Sequence, residues 1–249
     1  MLNTIIHASS SVATPLLMAH GLFGSARNLG VIAKRLSEDR SVTVADMRNH
    51  GSSPWYDTQS YFDMADDLAG LIEDPAHVMG HSMGGKAAMV LALRQPEKVQ
   101  RLIVADIAPV TYGHTQMPLV EAMKALDLTR IETRGDADRQ LADSIPEKGV
   151  RAFLLQSLDI KDKAWRLNLD VLGKEMDKII GFPEVEGQFD GPTLFLTGAD
   201  SDYVRREHRD SIKALFPKAR FAALNGAGHW LHADKPREFE TAIRLFLNQ

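Results

Sequence analysis

Residues 78–93 read V-M-G-H-S-M-G-G-K-A-A-M-V-L-A-L. An apolar strand end runs into G-x-S-x-G centred on Ser82 and then into a run of helix formers. A serine carried on a sharp strand-to-helix turn exposes its hydroxyl, and Gly80 and Gly84 remove β-carbons that would collide around that turn. The helix that follows aims free N–H groups and its positive end at the place where negative charge would gather. A lone G-x-S-x-G also recurs as an ordinary glycine-rich turn. Gly80 to Lys86 further fit the first seven positions of the phosphate loop G-x-x-x-x-G-K-[ST]. Ala87 stands where that loop needs a hydroxyl for Mg²⁺, and Met83 fills a place usually held by a small residue, so nucleotide binding is not expected.

Working outward, residues 16–25 read L-L-M-A-H-G-L-F-G-S, a buried-strand pattern ending in His20-Gly21, and residues 226–232 read G-A-G-H-W-L-H. Gly226 and Gly228, just ahead of His229, flank a tight loop after the last predicted strand, which lets the imidazole reach back to the Ser82 turn as general base for that serine. His20 and His81 are expected to orient loops by hydrogen bonds, and His50 to mark a structural turn. Two oxyanion donors are needed. Met83 N–H follows the nucleophile directly, and H-G-L-F-G supplies Leu22 N–H or, less favoured, Phe23 N–H. For the acid, two strand ends offer carboxylates: Asp106 in L-I-V-A-D, and Asp200 or Asp202 in L-F-L-T-G-A-D-S-D. Either position fits the order serine, acid, histidine. Phe23, Met83 and Trp230, with Phe153 or Trp165, are candidate linings of a substrate pocket.

Short apolar runs at 15–19, 41–45, 76–80, 101–105, 193–197 and 219–224 alternate with helical patterns, the rhythm of a mostly parallel sheet covered on both faces. The rhythm stops between Ile107 and about Pro192. Leu119, Met123 and Leu126 fall at helical spacing there, and F-L-L-Q-S-L at 153–158, W-R-L-N-L at 165–169 and M-D-K-I-I at 176–180 read as further helices. We expect one domain over 1–249 with an inserted helical cap at 110–190, above the strand ends where open α/β sheets keep their ligand crevice. A final helix over 235–248 opens with Lys235-Pro236, the proline suiting a first helical turn.

With 249 residues and 44% hydrophobic content, the chain can bury a sizeable core. A net charge of −4 with no basic stripe argues against a nucleic-acid partner. The absence of cysteine rules out disulfides and thiolate chemistry. No metal site is expected, because the histidines are scattered and H-E-x-x-H spacing is missing, and no dinucleotide fingerprint points to a cofactor. The N-terminus lacks a basic, apolar leader and no apolar run approaches a bilayer-spanning length, so a cytoplasmic protein without a membrane partner is expected. Oligomeric state is not legible.

H-G-L-F-G-S at 20–25, D-M-R-N-H-G-S-S at 46–53, G-H-S-M-G-G-K at 80–86, D-I-A-P-V at 106–110 and G-A-G-H-W-L-H-A-D-K-P at 226–236 together resemble the small bacterial carboxylesterases of the α/β-hydrolase superfamily and their mitochondrial abhydrolase-domain relatives. The resemblance runs from about Pro15 to the C-terminus and is loosest across the insertion. It implies an α/β-hydrolase fold and a cofactor-free serine esterase acting on small or short-chain acyl esters. The wider superfamily places its acid in G-x-x-D-x-x-V, and Ser201 occupies that place in G-A-D-S-D-Y-V. The resembled esterases tend to carry serine there and to use the aspartate after the preceding strand, which favours Asp106 over Asp200. Ser82, Asp106 and His229 are then the expected triad. Ser82 is incompatible with the aspartate nucleophile of dehalogenases and epoxide hydrolases. Thioesterase, lactonase, amidase, hydroxynitrile lyase or carbon–carbon hydrolase chemistry stays open on the same fold, as does a ligand-sensing or scaffold role with negligible turnover.

Overall fold

The computed structural model describes residues 1–249. Chain order runs β1 (Thr4–His7), β2 (Leu16–Ala19), α1 (Ala26–Leu36), β3 (Val42–Ala45), α2 (Tyr61–Ala69), β4 (Ala76–His81), α3 (Met83–Arg94) and β5 (Val99–Ala105). An inserted stretch follows, with α4 (Met117–Ala125), α5 (Arg134–Leu141), α6 (Lys148–Leu154), the two-residue strands β6 (Leu158–Asp159) and β7 (Ala164–Trp165), α7 (Leu169–Lys174) and α8 (Met176–Ile180). The chain then returns through β8 (Thr193–Gly198), α9 (Arg209–Leu215), β9 (Ala219–Leu224), α10 (Leu231–Asp234) and α11 (Pro236–Leu247).

Seven strands form one sheet in the order β1-β3-β2-β4-β5-β8-β9. All pairings are parallel except β1 with β3, where Thr4 lies opposite Ala45. That antiparallel edge strand was not anticipated, because T-I-I-H is too short to show a period and Ile6 is largely exposed. Register places the site: His81 of β4 lies beside Ala105 of β5, so Ser82 and Asp106 leave neighbouring strands side by side.

Alternate strand residues feed two cores, one on each face. Met18, Met79, Ile103 and Leu196 pack with Leu29, Ile32 and Leu36 of α1 and Phe239, Ile243 and Phe246 of α11. Leu17, Val78, Leu102, Val104 and Phe195 face α2, α3 and much of the insertion. Each such aliphatic or aromatic side chain, fully buried, contributes about 1.5–3 kcal/mol. In α3 every residue from Met83 to Leu93 is buried, in keeping with a helix that is apolar nearly all round.

Within the insertion, the helix expected at 165–169 is not formed; α7 begins only at Leu169. Trp165 ends β7, and Leu167 forms an isolated antiparallel bridge with His50. Arg166 N–H donates to Ser157 O (2.9 Å) and Asn168 N–H to Asn49 O (3.0 Å), so these amides bond to other segments rather than to a preceding turn. No helix is long and apolar enough to cross a membrane.

Candidate active site

Ser82 occupies φ 53°, ψ −120°, a conformation that an L-residue holds only under constraint. Its N–H donates to Ala105 O (3.0 Å), and its carbonyl accepts from Lys86 N–H (3.1 Å). Close approach of α3 to the strand ends supplies the rest. A β-carbon on Gly80 would lie 2.1 Å from Gly84 O, and one on Gly84 would lie 2.5 Å from His20 O.

His229 comes to the same point from the loop after β9. A β-carbon on Gly198 would lie 2.3 Å from Gly228 O, so that glycine lets the loop settle against β8. His81 donates from Nε2 to His229 O (2.8 Å), and Asp234 Oδ2 accepts from Gly228 N–H (2.9 Å). The imidazole then reaches both ways: Nε2 lies 3.1 Å from Ser82 Oγ and Nδ1 lies 2.8 Å from Asp106 Oδ2. Tyr203 stacks on it with ring centroids 4.0 Å apart.

Asp106 is fully buried at φ 52°. Its Oδ1 accepts from Gly198 N–H (3.1 Å), and its Oδ2 accepts from Ser201 Oγ (2.5 Å) as well as from His229. Asp200 is exposed and stands outside this network, its backbone N–H donating to Ala227 O. Ser201, standing where the wider superfamily has its acid, thus supports the carboxylate from the preceding strand. The sequence flagged Ser201 by register but did not reveal that bond.

At the loop after β2, Gly21 O accepts from His20 Nδ1 (2.8 Å) and from Gly24 N–H (3.1 Å), while Phe23 N–H donates to His50 Nε2 (3.2 Å). Leu22 N–H has no backbone acceptor. Met83 N–H begins α3, ahead of the helix's internal ladder. Of the two donors that the sequence offered here, Phe23 N–H is therefore engaged and Leu22 N–H is free. His20 and His50 do hold loops, as expected. Burial pushes His20 and His81 below the ordinary range and His50 down to about 3, so these imidazoles are neutral near pH 7.

A cavity of about 290 Å³ opens onto Ser82, lined by Leu22, Phe23, Met83, Phe153, Tyr203 and Trp230 among others. The Phe153 and Trp230 rings lie 5.2 Å apart. Trp165 is not part of it; its indole N–H donates to Met123 O (2.9 Å) inside the insertion. Lys86 also lines the cavity, and sequence reasoning missed what it does. Its Nζ donates to Val110 O (2.9 Å), Ile180 O (2.9 Å) and Gly181 O (2.5 Å), which engages all three ammonium protons. None is left for a phosphate, the role the overlapping loop pattern would have required. Lys86 instead ties the elbow helix to both ends of the insertion, and burial pushes its amine down to about 7.

A family model described as "Alpha/beta hydrolase family" matches residues 16–242. The chain belongs to that family. This α/β-hydrolase is 43% identical over 246 residues to the protein from Mus musculus named sn-1-specific diacylglycerol lipase ABHD11, a match covering 93% of this chain and 80% of the mouse protein. It is 40% identical to Esterase YbfF from Escherichia coli K12, covering 94% of this chain and 93% of that protein. Among solved structures, one titled as a marine microorganism esterase superposes with a TM-score of 0.92 at 36% identity, covering 99% of this chain and all of that one. Those names denote carboxylic ester hydrolases, and esterase or lipase chemistry on this fold is what the α/β-hydrolase's membership supports.

Proposed function

We propose that this α/β-hydrolase is a serine carboxylesterase acting on small, uncharged acyl esters. What carries the reading is the continuous chain of hydrogen bonds from Ser82 through His229 to Asp106 at a strained strand-to-helix turn. Ser82 Oγ attacks the ester carbonyl while His229 Nε2 takes its proton, and that proton passes to the departing alkoxide. Water, deprotonated by His229, then attacks the acyl-serine; Ser82 Oγ departs with that proton and the carboxylic acid is released, ionising in solution. Asp106 holds the imidazole in the useful tautomer and offsets its charge. Leu22 N–H and Met83 N–H receive the oxyanion.

In the same proposal residues 110–190 act as a cap, and Phe23 and Trp230 line the acyl site. The scheme uses no metal or cofactor. A cavity of about 290 Å³ suits a short acyl group and a small alcohol. The mouse relative's name favours a second reading, in which the acyl ester is borne on glycerol.

A panel of p-nitrophenyl esters from acetate to palmitate, assayed beside a long-chain diacylglycerol, separates the two. The first reading predicts a pre-steady-state burst and a maximum in kcat/KM near butyrate. If the diacylglycerol or the palmitate were preferred by about tenfold or more, the small-ester assignment would give way to the second reading.

A further inference from the structure

Phe23 sits at φ 63°, where a β-carbon is costly, so its surroundings must hold it there. Two buried side chains from distant parts of the chain do so. Phe23 N–H donates to His50 Nε2 (3.2 Å), and Phe23 O accepts from the Ser157 hydroxyl (2.8 Å). His50 is itself fixed: Nδ1–H donates to Arg48 O (2.8 Å), which leaves the Nε2 lone pair to face Phe23. Burial, aided by the neighbouring His20 ring, keeps that imidazole neutral, so Nε2 remains an acceptor through the neutral pH range.

The two anchors belong to one framework. Gly51 N–H donates to Arg166 O (2.8 Å), Asn168 N–H to Asn49 O (3.0 Å) and Arg166 N–H to Ser157 O (2.9 Å), lacing the loop at 47–53 to the insertion. A trans peptide points its C=O and N–H in opposite directions. With the Gly21 carbonyl held by His20 Nδ1 and Gly24 N–H, the N–H of the same peptide, that of Leu22, is turned away from them. With Phe23 N–H taken by His50, the next peptide cannot rotate to compete.

Resting on the reading of Ser82 as nucleophile, we infer that His50 and Ser157 are positioning residues for the oxyanion loop, holding Phe23 left-handed so that the Leu22 amide stays free and aimed at the developing oxyanion. The insertion then contributes, through Ser157, to the chemical step as well as to the pocket wall. A donor that matters most once charge has built on the carbonyl oxygen lowers the barrier more than it tightens substrate binding, so its loss falls on kcat.

The test uses Ser157→Ala and His50→Leu beside the conservative variants Ser157→Thr, which keeps a hydroxyl, and His50→Gln, which keeps an acceptor oxygen. Turnover of p-nitrophenyl butyrate is measured together with the affinity of an alkylboronic acid, whose tetrahedral serine adduct mimics the intermediate. Ser157→Ala should lower kcat by roughly ten- to a hundredfold with KM nearly unchanged, and boronate affinity should fall in parallel. The conservative variants should recover most of the loss. Changing both anchors should cost less than the product of the single losses, because both hold one residue. Wild-type kcat in folded Ser157→Ala, a loss confined to KM, or an unchanged boronate affinity alongside a fallen kcat would overturn the inference. Should Ser157→Ala not fold, His50→Leu decides it, since wild-type kcat, or reduced kcat with wild-type boronate affinity, in that variant contradicts the positioning role. A failure of the nucleophile reading looks different, for then neither boronate nor fluorophosphonate engages Ser82 in the unaltered protein.

Discussion

Replacing Asp106 by asparagine removes a charge while leaving the shape almost intact. The backbone should tolerate it, since asparagine accepts the left-handed φ of 52° as readily as aspartate. Each orientation of the new amide carries its own cost. With the amide oxygen facing His229 and Ser201, the NH₂ group opposes Gly198 N–H, which now donates to Oδ1. With the amide turned over, NH₂ donates to His229 Nδ1, forces the proton onto Nε2, and leaves that nitrogen unable to accept from Ser82. The first arrangement leaves a buried donor pair unsatisfied, at about 1–3 kcal/mol of stability. The second, the wrong tautomer, costs about 10⁴ in kcat, or about 5.5 kcal/mol of barrier. Asp106→Asn should therefore nearly abolish turnover of p-nitrophenyl butyrate in protein whose circular dichroism shows it folded. Asp200→Asn, at an exposed site outside the network, should cost about tenfold or less. If Asp200→Asn were the inactive variant and Asp106→Asn retained most of its kcat, the acid would belong to the later loop.

Lys86→Met leaves the carbonyls of Val110, Ile180 and Gly181 without their shared donor, and calorimetry should show Tm lower by roughly 5–10 °C at pH 7. The pH dependence carries a definite sign. With the folded-state amine at about 7 and its ordinary value at 10.5, the unfolded chain binds more protons between those limits, so wild-type stability from this group rises with pH there. The wild type's advantage over Lys86→Met should accordingly widen from pH 7 to pH 10, by at most ~1.4 kcal/mol per unit, and a gap that narrowed would contradict the assignment. Gly80→Ala forces a β-carbon to within 2.1 Å of the Gly84 carbonyl. It should lower Tm by roughly 5–10 °C and reduce activity in the protein that still folds, whereas an unperturbed Tm would mean that the elbow is looser than described.

Much of this was legible because the residues concerned answer to local rules. Six parallel strands show as apolar runs, and Ser82, flanked by Gly80 and Gly84, announces its own turn. His229 stood out by its glycine spacing, whereas strand ends alone left Asp106, Asp200 and Asp202 open and only the family resemblance, with serine at 201, favoured Asp106. What escaped depends on contacts across the chain. The bonds from Ser157 and His50 to Phe23 span 134 and 27 residues, and nothing in F-L-L-Q-S-L or D-M-R-N-H-G foretells them. Lys86 read as a charged residue on a helix, yet its partners lie 24, 94 and 95 residues away. Trp165 is one of two candidate cap linings by sequence, but in W-R-L-N-L the backbone bonds to the 49–51 loop, a pairing that helical spacing of apolar residues cannot reveal.

The central claim is that Ser82 forms a covalent intermediate. Intact mass and peptide mapping after treatment with a fluorophosphonate test it most directly, on the wild type and on Ser82→Ala compared by circular dichroism. A single adduct on the wild-type peptide containing Ser82 is expected. Ser82→Ala should carry no adduct and should lose on the order of 10⁴ or more in kcat. An adduct on any other residue, or substantial turnover by folded Ser82→Ala, would contradict the account.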